Sequence, residues 1–162
     1  MKNREKLLTV FSLFVLVMAV CSCEQIRNGD FATGSLSPGW TACTDHIYGG
    51  VTDVNQCGFT TYNLSLREND CFQQDLSHAV TATGPFTFWS AGPHLGVHRG
   101  KFYARVYYSD GTSDTIEIPY TVNCDTKHMV NVDYSKQVSR VRLYTVDSDG
   151  LWYVSGVSLP GY

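Results

Sequence analysis

A β-hairpin pattern between Lys101 and Thr121 constrains the fold of this chain more than any other stretch of the sequence. Asp110-Gly111 lies at its centre, and this dipeptide favours the tight turn of a two-stranded hairpin. On both sides of the turn, apolar side chains occupy every second position, so each strand has one apolar face and one polar, aromatic face. Pro119 lacks a backbone N–H and predicts that the second strand is an edge strand or ends there. The hairpin therefore predicts an antiparallel sheet with one buried face.

The rest of the chain after residue 23 has the same character. Thr, Val, Tyr and Phe dominate short segments that are separated by clusters of Gly, Asp, Asn and Ser, and the 3.6-residue apolar spacing of helices is missing. Besides the hairpin, the predicted strands are a first one within 24–40 and others at 60–66, 71–76, 86–91, 129–133, 137–145 and 151–159. About eight antiparallel strands at this spacing predict an all-β fold, a two-sheet β-sandwich or jelly roll.

Residues 1–23 have the composition of a secretory signal peptide. Basic residues at the start precede an apolar run from Leu7 to Val20 and small residues at the end. The run is shorter than the roughly 20 apolar residues that cross a bilayer, so no membrane span is predicted. A bacterial lipoprotein signal that leaves Cys23 lipidated is the alternative interpretation. The expected organisation is a signal peptide at 1–23 and a single secreted domain at 24–162.

The charge of the predicted mature domain argues against one class of partner. Removing residues 1–23 leaves nine basic and fourteen acidic residues, a net charge of −5. A protein that binds nucleic acid is expected to carry a basic surface. Nucleic acid is therefore not expected among the partners.

Four cysteines remain in the predicted mature chain: Cys43, Cys57, Cys71 and Cys124. An even number in an exported domain predicts two disulfides, for which three pairings exist. The preferred pairing joins Cys43 to Cys57 and Cys71 to Cys124, because the first closes a short loop and the second could link neighbouring strands. Metal binding is the weaker interpretation, because the chain has no Cys-x-x-Cys pair. Asn63-Leu64-Ser65 is a glycosylation sequon, which matters only in a eukaryotic secretory pathway.

Motifs at the two ends of the domain resemble a known family. Asn28-Gly29-Asp30-Phe31, with Gly39-Trp40 after a short turn, resembles the opening of jelly-roll carbohydrate-binding modules and of the wider galactose-binding-like domains. Tyr153-Val154 with Val157-Ser158-Leu159 resembles their last strand. The stretches that resemble their middle strands are Gln73-Gln74-Asp75-Leu76 and Phe86-Thr87-Phe88-Trp89. The resemblance spans the whole domain and implies a galactose-binding-like fold that binds carbohydrate.

The chain departs from that family at two positions. Members of the family commonly hold a structural calcium through the Glu of the opening motif and an Asp of the closing one, where this chain has Ala32 and Ser155. Calcium takes six to eight oxygen ligands, so the loss of two carboxylates should weaken such a site severely. We expect no calcium at this place, and no other metal or cofactor.

The sequence offers little that could catalyse a reaction. It has no nucleophile elbow, metalloprotease helix or phosphate loop. Paired acids such as Asp147 and Asp149 could hydrolyse glycosides if they flanked the glycosidic bond. They lie in predicted turns, however, where Asp side chains commonly form hydrogen bonds with the nearby backbone. Scattered histidines could in principle bind a metal, but exposed loop histidines usually do not. The chain is not expected to be an enzyme.

The polar face of the hairpin is the main candidate binding surface. If Phe102, Ala104 and Val106 point into the core, the opposite face carries flat aromatic rings and planar donors, which suit the C–H faces and hydroxyls of sugars. The candidate ligand-binding residues there are Tyr103, Arg105, Tyr107, Arg142 and Tyr144, beside Glu117 and Arg140. An ordinary solvent face, rich in Tyr, Thr and Arg for cross-strand packing, is the alternative.

Trp89 is a further candidate ligand-binding residue, together with the loop residues His94, His98 and Arg99, because loops at the ends of sandwiches often bind ligands. Trp89 could equally belong to the core. Two functions follow from the sequence. The first is a secreted, lectin-like, non-catalytic module that binds a glycan or glycoprotein. The second is an extracellular structural or protein-interaction domain without a sugar site.

Overall fold

A computed structural model describes residues 23–53, 62–92, 100–120 and 126–162. Within these ranges the regular structure consists of β-strands, and no helix is present that could cross a membrane. The strands are β1 (Cys23–Glu24), β2 (Trp40–Ala42), β3 (Gly50–Thr52), β4 (Asn63–Glu68), β5 (Cys71–Thr81), β6 (Phe86–Ala91), β7 (Lys101–Tyr108), β8 (Ser113–Ile118), β9 (Lys127–Val130), β10 (Gln137–Val146), β11 (Ser148–Ser158) and β12 (Pro160–Gly161).

Two antiparallel five-stranded sheets form the sandwich. One sheet has the order β2-β5-β10-β7-β8 and is called here the β7 sheet; the other has the order β3-β4-β11-β6-β9 and is called the β6 sheet. The predicted all-β sandwich is confirmed. The strand number is higher than the predicted eight because β1, β2, β3 and β12 have only two or three residues each. Segments this short carry no alternating pattern: β2 and β3 are strands because the longer β5 and β4 pair with them, and β1 and β12 pair with each other.

The core lies between the sheets and is built from alternate positions of the long strands. In β7, Phe102, Ala104 and Val106 have no exposed surface, while the residues between them are half-buried on the outer face. The aromatic rings of Phe88 and Trp152 lie 5.9 and 5.1 Å from the ring of Phe102, so side chains from both sheets meet there. Trp40 and Trp152 are also buried in this core.

The hairpin that was predicted between Lys101 and Thr121 is confirmed by the antiparallel pair β7 and β8. Gly111 occupies the turn with a φ of +86°, a left-handed conformation that glycine adopts without strain. The strand β8 lies at the edge of the β7 sheet and ends at Ile118, immediately before Pro119. Proline costs little stability at the end of an edge strand, because its missing N–H is not needed for a hydrogen bond within the sheet.

The opening motif packs against the closing strand. The backbone N–H of Val157 donates to the carbonyl of Gly29 at 2.9 Å. Phe31 is fully buried with a φ of +55°, and its ring lies 5.8 Å from that of Trp40. A left-handed phenylalanine is rare, so the surrounding contacts must hold it there. The motif therefore fixes the start of the domain against its end.

A disulfide joins Cys43 to Cys71, whose Cα atoms are 5.1 Å apart. The preferred pairing of Cys43 with Cys57 and of Cys71 with Cys124 is therefore wrong. The reason is that β2 pairs with the start of β5, which brings Cys43 beside Cys71, so that the N–H of Cys43 also donates to the carbonyl of Cys71. Cys57 and Cys124 lie outside the described residues.

Candidate functional site

The outer face of the β7 sheet carries the candidate residues in three rows that cross the strands. Five of the six predicted ligand-binding residues lie here: Tyr103, Arg105, Tyr107, Arg142 and Tyr144. They come together because β7 and β10 are neighbours and successive outward positions of the two strands are in register. All five are half-buried, so each side chain packs against its neighbours and still exposes part of its surface.

The central row contains two arginines side by side. Arg105 and Arg142 are direct cross-strand partners on β7 and β10. Arg105 faces Thr115 on β8, and its Nε donates to the Thr115 hydroxyl at 2.6 Å. Arg142 faces Gln73 on β5, and its Nη2 donates to the Gln73 side-chain oxygen at 2.8 Å. Both guanidinium groups are thus positioned by neutral partners.

The first row pairs Tyr107 on β7 with Arg140 on β10, and Tyr107 lies at the centre of a cluster of guanidinium groups. The central carbons of Arg142, Arg140 and Arg105 lie 5.0, 5.6 and 5.7 Å from the centroid of the Tyr107 ring. Cations within about 6 Å of an aromatic face are attracted to the negative charge density of the ring. The ring therefore helps to hold three positive groups on one small part of the sheet.

The third row contains a tyrosine pair. The rings of Tyr103 and Tyr144 stack with their centroids 5.2 Å apart and their planes inclined by 19°. The Tyr144 hydroxyl accepts a hydrogen bond from Nη2 of Arg105 at 2.9 Å, which links this row to the central one. The Tyr103 hydroxyl donates to Glu117 at 3.3 Å. The three rows form one connected surface, which we call the arginine–tyrosine face.

Two ion pairs lie at the edges of the arginine–tyrosine face. Asp75 accepts a hydrogen bond from Nε of Arg140, and Glu117 accepts one from Nζ of Lys101 at 2.7 Å. The hydrogen bond from Lys101 holds the pKa of Glu117 below its ordinary value. Glu117 is therefore ionised at neutral pH and is a poor proton donor.

Sequence reasoning missed the neutral partners of this face, Gln73 and Thr115. Both residue types are common on solvent-exposed strands, so neither stands out alone. Their role follows only from the register, which sets Gln73 opposite Arg142 and Thr115 opposite Arg105. Asp75 belongs to the motif that resembles a middle strand of the family. Its hydrogen bond with Arg140 was missed because the two residues are 65 positions apart in the sequence.

Trp89 does not join the arginine–tyrosine face. It lies on β6, in the opposite sheet, where it pairs with Ser155 and Lys127. Its half-buried ring covers Gly156, so closely that a Cβ there would lie 2.9 Å from Cδ1 of Trp89. The loop residues His94, His98 and Arg99, which were grouped with it, lie outside the described residues. Trp89 and the arginine–tyrosine face cannot form one surface.

The residues at the family's calcium position do not fit that ion. Ala32 has no side-chain oxygen, and Ser155 offers only one neutral hydroxyl. Calcium prefers several charged oxygen ligands. In the described part of the chain, no group of three or more His, Cys, Asp or Glu side chains is arranged to hold a metal ion. No step of the function is therefore assigned to calcium.

The predicted glycosylation site is shielded in the folded domain. Asn63 is the first residue of β4 and has no exposed surface, and Ser65 of the sequon is also buried. A glycan is bulky and hydrophilic and requires an exposed side chain. Burial therefore disfavours a glycan on Asn63 in the folded protein.

The fold is the jelly roll of the carbohydrate-binding modules, as the sequence motifs suggested. TmCBM61, solved in complex with β-1,4-galactotriose, matches with a TM-score of 0.58 at 18% identity, over 85% of this chain and 98% of its own. The CBM22-1 xylan-binding domain of Paenibacillus barcinonensis Xyn10C matches with a TM-score of 0.55 at 15% identity, over 88% and 97% of the two chains. No protein-family model and no curated protein sequence matches this chain.

A third solved structure with this fold is part of an enzyme. The enzymatically active domain of tailspike protein 4 from bacteriophage CBA120 matches with a TM-score of 0.60 at 13% identity, over 86% of this chain. The match covers only 21% of the tailspike chain. At these identities the three structures establish the fold, and function has to be argued from the site.

Proposed function

We propose that this protein is a secreted, non-catalytic carbohydrate-binding module that binds a glycan on the arginine–tyrosine face. The observation that carries the proposal is the connected arrangement of Tyr103, Arg105, Tyr107, Arg142 and Tyr144 on one face of the β7 sheet. These side chains are half-buried and hold one another in place. A ligand would therefore meet a surface whose side chains lose little further freedom on binding.

The chemistry of the face suits a sugar chain. Tyrosine rings contribute flat apolar surface for the C–H faces of sugar rings, and their hydroxyls can donate and accept hydrogen bonds. Guanidinium groups add several donors in a fixed plane. Residues in successive rows could contact successive sugar units.

The named ligands of the structural neighbours are consistent with this proposal. TmCBM61 was solved with a galactotriose, and the Xyn10C domain is named as xylan-binding. Both matches span nearly the whole of those domains. An oligosaccharide is therefore the first class of ligand to test.

The environment of the acidic residues supports a non-catalytic role. Glycoside hydrolysis normally needs two carboxyl groups, one of which has a raised pKa so that it can donate a proton. On the arginine–tyrosine face, Asp75 is paired with Arg140, and the pKa of Glu117 is lowered by Lys101. These two carboxylates stabilise the face and are badly suited to acid catalysis.

Export is supported by the predicted signal peptide at 1–23 and by the Cys43–Cys71 disulfide. Disulfides persist mainly in oxidising compartments such as the extracellular space. Purification of the protein from culture medium, with the N-terminal residue determined by mass spectrometry, tests this part of the proposal.

A glycan array followed by titration calorimetry tests binding. We expect at least one array ligand to bind the wild-type protein and Tyr107→Ala to abolish or strongly weaken that binding. Tyr134→Ala is the matched control, because Tyr134 is 55% exposed and lies outside the arginine–tyrosine face. If no glycan binds, or if Tyr107→Ala binds as tightly as the wild type, the proposed site is wrong and the alternative of a protein-interaction domain gains support.

A further inference from the structure

The pairing of Arg105 with Arg142 breaks a local rule of β-sheets. Like charges directly opposite each other on neighbouring strands are destabilising, and an opposite charge is the favoured partner. A position where a sequence departs from such a rule without a local gain is often functional. The repulsion between these two guanidinium groups therefore needs an explanation.

No described carboxylate compensates either arginine. The two ion pairs on the face belong to Arg140 and Lys101. Arg105 and Arg142 are held by a threonine, two tyrosines and a glutamine, which fix the guanidinium groups without neutralising them. In addition, Nε of Arg142 is buried and has no hydrogen-bond partner among the described residues.

The net charge of the face is opposite to that of the chain. The face carries four cations, Lys101, Arg105, Arg140 and Arg142, and two carboxylates, Asp75 and Glu117. The whole sequence has a net charge of −3. The arginine–tyrosine face therefore has an excess of positive charge in a chain whose net charge is negative.

We propose that the glycan bound by this face is acidic, and that one of its carboxylate or sulfate groups binds between Arg105 and Arg142. This inference rests on the proposed function and specifies its ligand. An anion between the two guanidinium groups would convert their repulsion into attraction, and the planar fork of arginine matches carboxylate and sulfate oxygens. Neutral sugars would leave the repulsion uncompensated.

Two matched pairs of ligands test the inference and separate the two anions. The first pair is an oligogalacturonate and the same oligosaccharide with its carboxylates methyl-esterified. The second is a sulfated galactan oligosaccharide and its desulfated form. We expect one charged member to bind at least about tenfold more tightly than its neutral counterpart, because charge-assisted hydrogen bonds are stronger than neutral ones. The pair that shows the difference identifies the anion.

Substitutions then test whether Arg105 and Arg142 cause this difference in affinity. Arg105→Gln and Arg142→Gln should each weaken binding of the charged ligand about tenfold, and Arg142→Lys should retain part of the affinity because it keeps the charge. Arg67→Gln is the matched control, because Arg67 is exposed on β4 in the other sheet. Thermal melting of each variant verifies folding, so that a loss of affinity is not confused with unfolding.

The possible failures have different meanings. Equal binding of charged and neutral members overturns the acidic ligand and leaves the carbohydrate-binding function standing. If neither charged ligand binds, the acidic ligand is wrong, and the array of neutral glycans decides the proposed function by itself. If polyglutamate binds as tightly as the charged glycans, the face is a general anion-binding surface and the inference is overturned.

Discussion

The carboxylate of Glu24 accepts a hydrogen bond from the backbone N–H of Leu159, with Oε1 and N 2.8 Å apart. The same Oε1 accepts the N–H of Ile26 at 2.9 Å, and Oε2 accepts the hydroxyl of Ser158. One side chain in β1 thus connects the start of the domain to the last strands, 135 residues away. This contact supplements the hydrogen bond between Val157 and Gly29 in joining the two ends.

Glu24→Gln should lower the melting temperature. An amide has one oxygen and no charge, so the substitution loses or weakens three hydrogen bonds, and because Glu24 is exposed we expect a cost of about 1 kcal/mol. Glu68→Gln removes the same charge at an exposed position of β4 and should have a smaller effect. Equal melting temperatures for the two variants would show that the Glu24 contacts contribute no stability.

Gly29→Ala should destabilise the domain strongly. A Cβ at this position would lie 2.0 Å from the carbonyl oxygen of Val157, which is backbone and cannot rotate away. We expect a loss of about 3 kcal/mol or more in urea unfolding, in the range of severe overpacking. Gly111→Ala is the comparison, because a Cβ there meets nothing within 4 Å and the cost of about 1 kcal/mol comes from its positive φ alone. A larger loss for Gly111→Ala would contradict this packing.

Stability should fall as the pH decreases below about 6.5 because of His128. Burial lowers the pKa of His128, whose ring packs 5.4 Å from that of Phe88. As the pH falls, the unfolded chain therefore binds a proton before the folded one, so stability present above the ordinary pKa is lost below it.

Thermal melting at a series of pH values between 8 and 5 checks this expectation. The decrease should be smaller in His128→Gln, whereas His78→Gln should behave like the wild type, because His78 is exposed. A wild-type decrease that persists unchanged in His128→Gln would assign the effect to other groups.

Reduction of the Cys43–Cys71 disulfide should destabilise the protein. The bond closes a loop across 28 positions of the chain, for which loop entropy predicts about 3 to 4 kcal/mol. Peptide mapping without reduction should recover the peptides that contain Cys43 and Cys71 as one linked product. Recovery of Cys43 linked to Cys57 would restore the pairing that the sequence alone favoured. The double variant Cys43→Ser/Cys71→Ser removes this bond alone and should show that loss relative to the oxidised wild type.

The long strands were predictable from the sequence, because alternation over six or more residues reports which face is buried. This is why the positions of Phe102, Ala104 and Val106 in the core and of Tyr103, Arg105 and Tyr107 outside are confirmed. Five of the candidate residues also came together as expected, since outward positions of adjacent strands share one face. Their ligand-binding role stays a prediction.

Features that depend on which strands become neighbours could not be predicted. The Cys43–Cys71 pairing results from β2 lying beside β5, and the spacing of cysteines carries no information about that. Trp89 was separated from the other candidates because β6 belongs to the opposite sheet. The same holds for Arg105 and Arg142: each residue is visible in the sequence, but their direct opposition follows only from the register of β7 and β10.

The pairing of β1 with β12 places Glu24 opposite Pro160. Both ends of the described fold therefore leave from one location, and a short peptide could connect them without distorting either sheet. A circular permutant with new ends in the turn around Asp110 and Gly111 should retain the fold, because that turn is exposed and joins two neighbouring strands. The order of the strands along the chain is thus less essential to this domain than their order within the sheets.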